Sequence, residues 1–205
     1  LVETVRELRV YLDAGLLLLA FVIYNDGVNT IIRMATTYGS EIGIAQADLI
    51  GALLMVQFVG VPFSFAFGLL SDRIGPKRAI LLSLLGYAFI SIYAYNLRTA
   101  AQFYLLAGLV GVVQGGAQGL SRSLFASLIP TQKAGEMFGF FGVFDRFGGA
   151  LGATIFGSVL AVTGSSRPAI VSLIVLFVVG GLILTRVDVA RGREVVNEEN
   201  RRTAL

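Results

Sequence analysis

Six apolar stretches, each about as long as a bilayer is thick, follow one another along this chain with short polar turns between them. They fall at about 14–38, 47–70, 79–97, 101–126, 138–162 and 168–185. A helical span needs about 20 mostly apolar residues, and a backbone in lipid must satisfy its own hydrogen bonds. The expected fold is therefore all-α: an integral membrane bundle of six transmembrane helices. The composition agrees, with 56% hydrophobic and only 14% charged residues, against about 25% charged in a soluble domain. Residues 1–13 read as a charged amphipathic lead-in, 14–187 as the bundle, and 188–205 as a charged tail outside the bilayer. Part of that tail is expected to lack regular structure.

The chain has no Cys and no His. Disulfides, thiolate chemistry, zinc sites built on Cys or His, and Ser-His hydrolases are thereby excluded. No cluster of nucleophile and base is apparent, nor a metal-ligand set, so no enzyme, cofactor or metal site is expected. No Gly-rich phosphate loop followed by Lys and Ser or Thr is present. A net charge of +3 provides no basic face for nucleic acid.

Where the charges fall sets an orientation. One set of connections holds Arg6, Arg9, Arg73, Lys77, Arg78, Lys133, Arg186, Arg191, Arg193, Arg201 and Arg202, and the opposite set holds Arg98 and Arg167. Lys and Arg accumulate on the cytoplasmic side. Both termini are therefore expected in the cytoplasm, with the chain a multi-pass protein of the cell (inner) membrane. An even number of spans agrees.

Polar residues in the middle of a span need a reason. Asn25, Asp26, Asn29 and Arg33 interrupt the first stretch. On a helix Asn25, Asn29 and Arg33 share one face, with Asp26 beside them. Asn25 and Asp26 lie near the midpoint, where a charge costs about 2.5–3.5 kcal/mol on insertion scales. That points to a cavity, a partner or a ligand. Arg33 lies roughly 11 Å further out; it either snorkels to the outer interface or turns inward. Gly27 is expected to loosen this helix, as in transporters with broken spans.

The fourth stretch carries Gln114, Gln118 and Arg122 at four-residue spacing. The two amides suit either hydrogen bonds to a solute or interhelical adhesion, and Arg122 suits a structural or gating role. The fifth stretch carries Asp145 and Arg146, adjacent residues that need separate partners. Asp145 shares a helical face with Gly149 and Gly152, so it is expected to point toward protein, into a path or an ion pair with another span. Gly111, Gly115 and Gly119, and Gly148 with Gly152, mark close-packing faces. Gln57 reads as packing or cavity lining and Asn96 as a helix end.

Between the second and third stretches stands "GLLSDRIGPKRAILL". Gly75 and Pro76 turn the chain in a short space, Asp72 suits the positive end of a helix, and Arg73, Lys77 and Arg78 hold the turn at one face. The stretch resembles the signature loop of the major facilitator superfamily, with Gly68, Leu70, Asp72, Arg73, Gly75, Lys77 and Arg78 in register and Pro76 in place of a basic residue. "YNDGVNTIIRMATTYGSEIG", "GGAQGLSRSLFASLIP" and "GEMFGFFGVFDRFGG" resemble the carboxy-terminal half of one branch. That branch holds bacterial permeases similar to the yeast vacuolar autophagy-related amino-acid effluxer.

The resemblance implies a half bundle of a twelve-helix transporter, with the loop residues forming a gate contact with the fifth span. It implies that the first and fourth spans line a central cavity. The chain starts on Leu, so the amino-terminal six-helix half is expected to lie outside it; a natural half-size protein with a partner half is the alternative. Together these readings describe a secondary active transporter of a small polar solute, an amino acid among the candidates, working by alternating access in the lipid bilayer. Asn25, Asp26, Asn29, Arg33, Gln114, Gln118 and Asp145 are the candidate path residues. A non-transporting scaffold or receptor-like subunit on the same fold is the alternative.

Overall fold

Within hydrocarbon a lone segment satisfies its own backbone only as a helix, and all six apolar stretches take that form. The computed structural model describes residues 11–147 and 149–203. The lead-in with Arg6 and Arg9 lies largely outside the described residues, as do Gly148 and the side chain of Arg146. Span 1 is α1 (Leu12–Glu41), span 2 is α2 (Gln46–Ile74) and span 3 is α3 (Pro76–Tyr95). Span 4 comprises α4 (Ala100–Gln114), a π turn at Gly115–Gly119 and α5 (Leu120–Ala126). Span 5 enters through a 3-10 turn at Thr131–Lys133 and comprises α6 (Ala134–Phe147) and α7 (Ala150–Thr163). Span 6 is α8 (Ser166–Ser172) and α9 (Ile174–Thr185), and α10 (Val189–Thr203) follows it. Six helical runs are long and apolar enough to cross a membrane, as expected.

The turns are short because particular residues end each helix. Gly75 takes φ 88°, a conformation that side chains other than glycine's disfavour. It reverses the chain in a single residue, and Pro76 starts α3 at the first helical position, where its missing N–H is no loss. Thr99 and Gln102 form a capping box at the start of α4, which satisfies two otherwise orphaned donors.

Small residues set the packing, since lipid provides no hydrophobic force between helices. Span 1 lies along span 6, where Gly27 faces the Phe177 ring and Gly180 faces Tyr24. Gly27 does not loosen α1, which runs unbroken through it; its missing side chain makes room for Phe177. Span 2 lies along span 4, with Gly111 against Val56 and Val59 and Gly115 against Ser64. Gly119 does not continue that face and has open space beside it. The π turn adds a residue to the helical repeat, and Gly116 becomes the close-packing position, against Phe67 and Ser83.

The connections alternate between two ends. At one end Lys77 Nζ donates to the carbonyls of Thr185 and Val187, at 2.8 and 2.7 Å. Arg191 forks onto both oxygens of the buried Asp13, each bond 2.9 Å long. The tail, expected to lack regular structure in part, is helical through α10. It is held there by Arg191, by Arg193 donating to Ser127, and by the Thr131 N–H donating to Asn200. At the other end the Ser166 N–H donates to Glu41, and Asn96 ends α3. Much of α2 is left uncovered, with Ile50, Leu54, Phe58, Val61, Phe65 and Leu69 exposed.

Candidate functional site

The polar residues of spans 1, 4 and 5 meet. Asn25 lies mid-way along α1 and is 2% exposed. Its Nδ2 donates to Asp145 Oδ1 at 2.9 Å, and its Oδ1 accepts from Gln118 Nε2 at 2.8 Å. Gln114 Nε2 lies 3.4 Å from Gln118 Oε1, a long bond. Arg122 Nη2 donates to the second Asp145 oxygen at 2.7 Å. The result is one chain of contacts, Gln114 to Gln118 to Asn25 to Asp145, closed by Arg122. Asp145 pairs with another span, one of the two outcomes its depth allowed. The pair is half open: the Arg122 side chain is 56% exposed and that of Asp145 22%, so solvent weakens its attraction.

Asp26, also 2% exposed, turns the other way. Successive residues on a helix point about 100° apart. Its Oδ2 accepts the Gly152 N–H at 2.9 Å. The N-cap residue of α7 is Gly149, which has no side chain to cap it, so the carboxylate does so from span 1, and the positive helix end favours it. The other oxygen, Oδ1, is buried without a partner among the described residues.

The expected shared face of Asp145, Gly149 and Gly152 does not exist, because span 5 breaks between them. Gly149 has φ 176° and ψ −5°, outside the helix. Asp145 belongs to α6 and Gly152 to α7, and two neighbours on span 1 hold one each. A methyl group on Gly152 would meet Thr30 and the Asp26 carbonyl, so α7 reaches span 1 only because Gly152 has no side chain. The Gly-Gly pair was the available signal for the break, since such pairs permit sharp bends.

Arg33 is turned toward this break. A methyl group on Gly149 would stand 3.1 Å from its Nη1. Asn29 is half-buried and makes no side-chain hydrogen bond among the described residues. A 220 Å³ cavity opens beside Gln57, Gln114 and Gln118, and a 280 Å³ cavity beside Arg122, Phe138 and Asp145. Cavities thus lie against two parts of the network, one at Gln114 and Gln118 and one at Arg122 and Asp145. A larger 450 Å³ apolar cavity, with Ile31, Leu53, Phe103 and Leu106 in its wall, meets it at Gln114.

In the signature loop, Gly68 lies within α2, and Asp72 and Arg73 lie in its last turn with exposed side chains. Asp72 caps no helix: α3 starts directly after Gly75 and has no side-chain cap. Lys77 is the loop residue that closes a helix end, through the span 6 carbonyls.

A six-span membrane unit whose polar groups converge at mid-depth from three spans is what these features define. The family model described as vacuole effluxer Atg22 like matches residues 1–197, and the chain belongs to that family. It is 40% identical over 198 residues to the uncharacterized MFS-type transporter YxiO of Bacillus subtilis (strain 168), covering 97% of this chain and 46% of that protein. It is 27% identical over 207 residues to autophagy-related protein 22 of Yarrowia lipolytica (strain CLIB 122 / E 150), covering 95% of this chain and 35% of that protein. The chain thus spans about half the length of the first relative and about a third of the second. These relatives agree with a permease half of the major facilitator type.

Proposed function

We propose that the chain supplies six spans of a secondary transporter for a small polar solute, an amino acid among the candidates. The observation that carries this reading is the network of Asn25, Gln118 and Asp145 drawn from three spans at mid-depth, with the Asp26 carboxylate buried beside it on span 1 and turned to span 5. Charges there are retained against a substantial cost. Mixed carboxylate, guanidinium and amide groups suit a zwitterion, which presents both signs at once. Similarity to an MFS-type transporter and to an effluxer family supports transport.

The mechanism is alternating access, with the remaining helices supplied by the rest of a longer chain or by a partner half. The exposed apolar face of α2 is a surface such a half could cover. The break in span 5 lets α6 and α7 move separately, and Asn25 and Asp26 report the position of each to span 1. The basic connections face the cytoplasm of the cell membrane, with both chain ends on that side. Asp72 and its basic neighbours act at the gate when the halves close, which accounts for an exposed carboxylate that has no side-chain partner among the described residues.

The closed pairing of Asn25 with Asp145 is what a scaffold would also have, and uptake separates the two. Labelled amino acids are offered to liposomes holding the full-length protein. Accumulation that fails in Gln118→Leu, with folding intact, supports the transport path. A folded full-length protein that moves no solute, in any direction and with a gradient of either sign, favours the scaffold.

A further inference from the structure

A groove of 780 Å³ opens where the turn after α2 meets the end of span 6. Lys77, Arg78, Arg186 and Arg193 stand around it with one carboxylate, Asp188. That carboxylate is engaged, accepting the N–H groups of Ala190 and Arg191 at the start of α10. Lys77 is bound to the span 6 carbonyls and Arg193 to Ser127. Arg78 and Arg186 are exposed and make no side-chain hydrogen bond or ion pair among the described residues. Two cations are thus uncommitted at the mouth of a groove whose net charge is positive.

Below the two arginines the surface turns apolar in a regular way. Arg78, Leu82, Leu85 and Phe89 recur at helical spacing on α3, and all are exposed. Arg186, directly after α9, and Leu182, Val178 and Val175 on it do the same, running back toward mid-membrane. Spans 3 and 6 lie side by side, with Tyr87 stacked on Phe177 between them. Each stripe is headed by one arginine.

We propose that this groove is a binding site for an anionic glycerophospholipid. Its phosphate lies between Arg78 and Arg186, and its two acyl chains run along the stripes ending at Phe89 and Val175. A free phosphate would use only the arginines, whereas the paired apolar stripes match an amphiphile with two chains. Basic pockets between spans on the cytoplasmic side suit such headgroups. The site rests on the membrane-spanning reading of spans 3 and 6 and is independent of any transported solute, so either can fail alone.

The test is native mass spectrometry of the full-length transporter in mild detergent, titrated with phosphatidylglycerol or phosphatidylcholine. Wild type should retain phosphatidylglycerol in preference. Arg186→Gln should weaken that binding about fivefold and Arg78→Gln/Arg186→Gln about 30-fold. Arg78→Lys/Arg186→Lys, which keeps both charges, should stay within about threefold of wild type. Arg201→Gln/Arg202→Gln removes as much charge at an exposed place on the tail and should change nothing. An equal loss in that control would reduce the effect to general charge and overturn the site. So would undiminished binding in the Arg78/Arg186 variants. Competition by inorganic phosphate at millimolar concentration, equal to that of the lipid, would make it a free-anion site instead.

Discussion

The carboxylate of Asp26 on span 1 accepts the backbone N–H of Gly152 on span 5 at 2.9 Å, and so caps a helix whose own N-cap residue is the glycine at 149. A side-chain cap contributes about 0.5–2 kcal/mol, and a buried one holds the start of its helix against opening. Replacing Asp26 with Ala should therefore speed amide exchange at 150–153, by about twofold to 30-fold, without altering exchange in α9. Hydrogen exchange read by mass spectrometry checks this. Unchanged protection at 150–153 would mean that α7 does not depend on the cap.

Gly152 itself is a close-approach position. A Leu there would drive into Thr30 and the Asp26 carbonyl, and overpacking of this kind costs about 1–3 kcal/mol. Gly152→Leu should lower the melting temperature of the detergent-purified protein and its yield from membranes. Gly157→Leu, at a position with open space, should leave both nearly unchanged. A similar loss from the two variants would remove the special role of Gly152.

How legible these features were in the sequence depended on whether one stretch of chain contained the whole signal. The six spans were readable because apolar length alone decides them. Asn25 and Asp26 stood out because a polar group at mid-depth is expensive wherever it sits. Their partners did not, since Asp145 and Gly152 are more than a hundred residues away and the pairing depends on where span 5 bends. Gly148 with Gly152 read as a packing face on an unbroken helix, and the break at Gly149 was not read. The π turn at Gly115–Gly119 was hidden for the same reason, and it moved the packing face from Gly119 to Gly116. The helix α10 was missed because its composition suits disorder, while its order comes from the Arg191 fork onto Asp13.

Cysteine labelling tests the orientation, on a background that lacks cysteine in this part of the protein. Thr99 and Thr131 are both exposed and lie at opposite ends of span 4. A cysteine replacing Thr99 should react with an impermeant maleimide added outside cells. One replacing Thr131 should react only after permeabilisation. The reverse pattern would invert the proposed topology.

Asp72 is exposed at the end of α2, so Asp72→Asn should leave the melting temperature within about 1 °C, as surface changes usually have small effects. Its place in the signature loop predicts slower transport in the full-length protein. Wild-type transport rates in Asp72→Asn would count against a gate there, and a large loss of stability would make the residue structural.

The most direct test of the transport path is the Asp26→Asn variant of the full-length protein in liposomes, assayed for both gradient-driven accumulation and solute counterflow, with folding checked by gel filtration. If Asp26 carries the coupling proton, accumulation should vanish while counterflow persists; if it binds the solute, both should fall together. Unchanged accumulation and unchanged affinity in a well-folded Asp26→Asn protein would contradict the account and leave Asp26 as nothing more than the cap of α7.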